Sequence, residues 1–81
     1  MGKYKPEWYE VVWDIGIDDD EHGCLFPPEK KDEAEELYKS KVEDIKNNAG
    51  SSVRLYLTHT NRPYDLLHHA IHRTDGEFIS E

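Results

Sequence analysis

The usual covalent and membrane anchors of a small protein are missing from this sequence. Only one of its 81 residues, Cys24, is a cysteine. No internal disulfide can form, which excludes a stapled secreted mini-protein and points to a reducing cytoplasm. Long apolar runs are also lacking. No stretch would cross a membrane, and Met1 to Pro6 carries no apolar core of a signal peptide. Met1-Gly2 opens like a myristoylation site, but Pro6 stands where Ser or Thr is needed. Basic residues are scarce: 10 Lys and Arg face 18 Asp and Glu, for a net charge of −8. Such a chain repels nucleic-acid phosphates and anionic lipid, and favours basic protein partners or cations.

Catalytic signatures are lacking as well. Nucleophilic catalysis needs Ser, Cys or Thr beside an oriented base. Cys24 stands alone in an acidic stretch, which blunts a thiolate, and reads as a small buried hydrophobe. Ser51-Ser52 follows a helix-ending glycine and reads as loop. No glycine-rich phosphate loop is present. The expectation is a protein without enzymatic activity or cofactor.

What is present suffices for one small domain over residues 1–81, with 1–7 loosely ordered. Nine aromatics offset a charged fraction of 35%, because each buried ring removes about 150–250 Å² from water. Residues 9–17 alternate, with Tyr9, Val11, Trp13, Ile15 and Ile17 on one side, and predict a half-buried strand. Asp18 to Gly23 reads as a turn, and Cys24 to Phe26 as a short returning strand. Pro28 suits the start of a helix, and Asp32 with Glu35 has capping-box spacing as an alternative start. Ala34, Leu37, Tyr38, Val42, Ile45 and Ala49 recur at helical spacing, so residues 29–48 predict an amphipathic helix ended by Gly50.

Residues 53–60 alternate as another strand, and Asn61 to Asp65 has turn chemistry. Residues 66–73 fit a strand, which is favoured, or a short helix with Tyr64, Leu67 and Ile71 on one stripe. Asp75-Gly76 turns into Glu77-Phe78-Ile79. The expected fold is α+β: a small β-(β)-α-β-β sandwich with one helix on three or four mostly antiparallel strands. If the first strand paired directly with residues 53–60 through the helix, that pair would be parallel and the crossover right-handed.

The charge is localised. Residues 1–36 hold four lysines against twelve acids and carry the whole excess, while residues 37–81 are balanced and hold four of the five histidines. Asp18, Asp19, Asp20 and Glu21 form one acidic run. Glu29, Asp32, Glu33, Glu35 and Glu36 form a second, expected nearby because Phe26-Pro27-Pro28 is a short link. Together they offer a surface for a basic partner, a nucleic-acid-binding protein above all, with Trp8 and Val12 as apolar anchors on the outer face of the first strand. Carboxylates spaced on a rigid element also imitate a row of phosphates. The plain alternative is a charged face that keeps a small domain soluble.

Two metal readings compete. Asp18, Asp20, His22, Gly23 and Glu29 fall at positions one, three, five, six and twelve of an EF-hand loop, which would bind Ca²⁺ weakly. His22 departs from the oxygen donor expected there, and a strand enters where that family has a helix. His59, His68, His69 and His72 are a candidate zinc set, or a surface that charges near the ordinary histidine value of about 6.5 and alters association in mild acid.

Trp8-Tyr9-Glu10-Val11-Val12, Ala34-Glu35-Glu36-Leu37-Tyr38 and Val53-Arg54-Leu55-Tyr56-Leu57 give a strand–helix–strand grammar. It resembles that of small orphan proteins of bacteriophages. The resemblance implies a protein that binds and disables one host or defence protein, sometimes by nucleic-acid mimicry, and it carries over no site residues. A cation-binding module and a structural subunit of an assembly are the other functions open to the sequence.

Overall fold

The structure, a computed structural model, describes residues 7–59 and 65–81. Strand β1 runs Glu7–Asp14 and β2 His22–Phe26. A 3-10 turn over Pro28–Lys30 leads into helix α1, Lys31–Lys46. Strands β3 (Ser51–His59), β4 (Asp65–His72) and β5 (Phe78–Ser80) follow. The fold is α+β: one helix packed on a sheet of five strands in the order β2-β1-β3-β4-β5, with every neighbouring pair antiparallel.

The sheet therefore exceeds the three or four strands expected, and β1 pairs with β3 antiparallel rather than parallel. The cause is β2. It reverses the chain before the helix, so the crossover through α1 joins β2 to β3 on opposite sides of β1. The strand reading of residues 66–73 holds, with β4 ending at His72. Its register with β3 slips between Leu55 and Tyr56, where Leu66 and His68 are the successive partners. Leu67 is the extra residue. The turn expected at 61–64 lies outside the described residues, as does loose order at 1–6; Glu7 already belongs to β1.

Alternation fixes the faces. Val11, Val53, Leu55 and Ala70 point to one side and meet Ala34, Tyr38 and Ile45 of α1. Leu55, Val53, Val11 and Ile45 are wholly buried. Truncating such a side chain to alanine costs about 2–5 kcal/mol. Tyr9, Trp13, Ile15, Phe26, Leu37 and Val42 pack around them. The helix stripe read from periodicity is thus the real one, except that Ala49 lies past the helix end and is exposed.

Strand β1 is shorter than the alternation suggests. It ends at Asp14, because Gly16 takes φ +94° and the Ile15 amide donates to Asp19 rather than to a strand. Ile17, expected inward, is 74% exposed. At the other end of this corner Gly50 (φ +82°) joins α1 to β3, and a Cβ there would come within 2.6 Å of Ile17 Cγ1. Buried Ser51 ties the corner together. The Gly16 amide donates to its Oγ at 2.7 Å, and that hydroxyl donates to the Asn48 carbonyl at 2.6 Å.

Removing the Ser51 hydroxyl strands one donor and one acceptor. Ser51→Ala is expected to lower stability by about 1–3 kcal/mol in urea unfolding. Tyr38 gives a second expectation. Burial pushes its phenol above the ordinary value of 10.0. A raised value stabilises the fold fully below the unfolded value and loses that contribution as pH rises through the folded one. Stability should therefore fall above about pH 10, and Tyr38→Phe should weaken that alkaline loss.

Candidate protein-binding interface

The two acidic runs do not meet. Trp13 pairs with His22 and Tyr9 with Phe26, so β2 separates the acidic turn from the helix start by roughly 13 Å. The turn instead sits against the C-terminal end of α1, where Gly16 bonds Ser51. The expected proximity fails because Phe26-Pro27-Pro28 is not the whole link. The strand before it is extended.

The same geometry removes the calcium loop. Calcium needs its oxygens within about 2.6 Å of one point, and Glu29 lies beyond the far end of β2 from Asp18 and Asp20. Among the described residues no group of three or more His, Cys, Asp or Glu is placed to hold a metal ion. The histidines are dispersed as well. His68 and His72 face the helix side of β4, His69 faces away, and the His59 backbone lies at the end of β3 beside Glu7. His68 lies against Tyr38, with ring centroids 5.8 Å apart. His72 Nδ1 is 2.7 Å from the Ile45 carbonyl oxygen.

The acidic turn is partly spent on its own structure. Asp19 accepts from the Ile15 amide at 2.9 Å through Oδ2, and its Oδ1 lies 3.1 Å from His22 Nε2. Glu21 pairs with Arg54 at 2.6 Å across the sheet face opposite α1. Arg54 also donates to the Tyr56 hydroxyl at 3.2 Å. Only Asp18 and Asp20 of the four stand exposed without a partner among the described residues. Trp8 is half-buried, and Val12, also on that opposite face, is nearly covered.

The helix run is more open. Asp32 and Glu33 occupy the first turn of α1, where the dipole favours them. No side chain caps the helix, because the 3-10 turn runs directly into it. Asp32 lies inside the first turn, so the capping-box start is not used. Glu33 meets Lys30 at 3.2 Å and Glu35 meets Lys31 at 4.0 Å. Glu29, Asp32 and Glu36 are exposed with no partner among the described residues.

Sequence reading missed the surroundings of this helix. Cys24 is half-buried rather than a core residue. It lines a groove between β2 and α1 with Phe26, Leu37, Glu33, Glu36 and Ser40. At the end of β2 nearer the acidic turn, Lys41 Nζ lies 4.6 Å over the Trp13 ring, on which His22 also stacks. The helical spacing of Glu33, Leu37 and Ser40 and the short strand at Cys24–Phe26 were both visible, but not that the strand lies along this flank of the helix. Among the described residues no helix is long and apolar enough to cross a membrane.

The acid response of the turn follows from Asp19. The Ile15 amide, then the His22 side chain, hold its carboxyl below the usual 3.8. A depressed carboxyl contributes stability above its unfolded value and loses it as pH falls through the folded one. Amide NMR should show the Ile15 N–H shifting below about pH 4, and Asp19→Asn should abolish that titration. Neither a protein-family model, nor a curated protein, nor a solved structure matches this chain.

Proposed function

We propose that this is a non-catalytic binding protein that holds a basic surface of another protein against the acidic start of α1. The observation that carries the reading is the free exposure of Glu29, Asp32 and Glu36 on one short stretch. Among the described residues their neighbours Glu33 and Glu35 are answered by lysines on their own segment alone. Such exposed pairs are worth about 0–1 kcal/mol, so a partner's arginines can replace them at little cost. Five carboxylates within eight residues repel one another, and a basic surface relieves that repulsion.

In its narrower form the partner is a nucleic-acid-binding protein. The seven helical steps from Glu29 to Glu36 rise roughly 10 Å, about the axial rise over three phosphates of one DNA strand. An inhibitor of a host or defence protein acting by mimicry is the biological form of this reading, in line with the phage-type resemblance. It requires the helix acids to dominate, because the acidic turn stands at the other end of β2.

Immobilised protein in a bacterial lysate should retain basic proteins at 50 mM salt. It should release them by 500 mM, as the screening length falls from about 14 to about 4 Å. The triple variant Glu29→Lys, Asp32→Lys, Glu36→Lys should lose that set, while Asp18→Lys with Asp20→Lys should keep it. Equal retention by the triple variant would overturn the proposal.

A further inference from the structure

Strand β2 is an edge of the sheet, and among the described residues its backbone pairs with no strand but β1. Its sequence, His22-Gly23-Cys24-Leu25-Phe26, holds no Lys, no Pro and no bulge, the usual guards of an exposed edge. Beside it, between β2 and the flank of α1, lies a shallow, open surface groove. Cys24, Phe26 and Leu37 form its apolar part, and Glu33 and Glu36 lie along the helix side. A free edge, an apolar floor and an acidic rim thus run side by side.

We propose that an extended basic segment of another protein adds to β2 as a sixth strand and fills this groove. The inference rests on the acidic-surface reading above and specifies how the partner is held. Main-chain hydrogen bonds to the free edge would supply affinity, and alternate side chains would supply selection. Side chains on the helix side of the added strand meet Phe26 and Leu37 first and the carboxylates beyond. An arginine fits both, with its stem on the apolar floor and its guanidinium on the acids.

The spacing agrees. Glu33 and Glu36 are three residues apart on a helix, about 5–6 Å between their Cβ atoms. Alternate residues of a strand are about 6.6 Å apart. Two successive helix-side arginines can therefore meet the two acids. The intervening side chains would lie beside Leu25, which is 62% exposed on the other face, and are best apolar and β-branched.

The opposite edge does not offer this. β5 has three residues, and the groove beside it is lined by Glu35, Tyr38, Lys39, His68, Ser80 and Glu81, which mix both charges. The recognised segment is therefore an alternating Arg–Val type of sequence, read at β2.

The test uses the full chain and a nine-residue alternating Arg–Val peptide at 50 mM salt. A second peptide of the same composition is N-methylated on the amides that would face β2. The first peptide should shift the amides of Gly23, Cys24 and Leu25 in NMR spectra and slow thiol labelling of Cys24 at least tenfold. Glu33→Lys with Glu36→Lys should weaken binding at least tenfold, and the methylated peptide should lose at least as much. Equal binding by both peptides overturns strand addition while leaving the acidic-surface reading intact. Binding indifferent to the double Lys variant overturns the inference that the acidic rim of this groove selects the segment, while the lysate experiment with the triple variant decides the broader reading. No binding tighter than about 1 mM by either peptide overturns the strand inference, with the lysate experiment deciding the broader reading separately. A protein dimer that the peptide dissociates would make a second copy of this chain the occupant, and would overturn the choice of partner.

Discussion

One helix cannot cover five strands. Five strands span about 19 Å from first to last axis, while a helix with its side chains is about 10–12 Å across. Helix α1 therefore protects the middle of one face, over β1 and β3, where Val11, Val53 and Leu55 are wholly buried. Much of what is open among the described residues follows from having a single helix on a single face. The far face keeps Leu25 and Leu66 in water, at 62% and 49% exposure. Among the described residues both outer strands retain a free edge, and a groove remains on each flank of the helix.

The helix also sorts the charge. Its N-terminal turns gather acids, which the backbone dipole stabilises, and Lys41 and Lys46 stand toward its C-terminal end. The other acidic run, Asp18 to Glu21, arrives beside that C-terminal end, where the dipole offers it nothing. Its order comes from elsewhere. Asp19 turns onto its own loop, Glu21 reaches Arg54, and Ser51 joins Gly16 to Asn48. One acidic run is thus held ready on a helix, and half of the other is consumed, Asp19 in closing its loop and Glu21 on Arg54.

Periodicity made the helix and the two long strands visible, because Ala34, Tyr38 and Ile45 share one helical face and Val11, Val53 and Leu55 face it. β4 was readable for the same reason, although Leu67 breaks its register. What stayed hidden depends on pairing rather than on local pattern. Cys24-Leu25-Phe26 was legible as a short returning strand, but local pattern did not show that it pairs with β1 on the side away from β3. That pairing makes β1 and β3 antiparallel and sends the acidic turn away from the helix start. The EF-hand spacing from Asp18 to Glu29 was real in sequence and empty in space, since an extended strand separates residues that a tight loop would gather. Ile17 continued the alternation of β1 and still faces water, because Gly16 ends the strand before it.

The acidic rim beside β2 answers a question that the exposed edge raises. An edge without Lys, Pro or a bulge is open to any strand, including β2 of another copy. Antiparallel pairing of two such edges would place both helices on one face of the joined sheet. The two rims of Glu33 and Glu36 would then approach across it, in a chain of net charge −8. Like charges there oppose self-pairing, while a basic strand meets the same carboxylates as attraction. Specificity is a difference between such alternatives. The carboxylates that would select a basic partner also disfavour the nearest competitor, and the short helix-to-strand groove is where the two effects coincide.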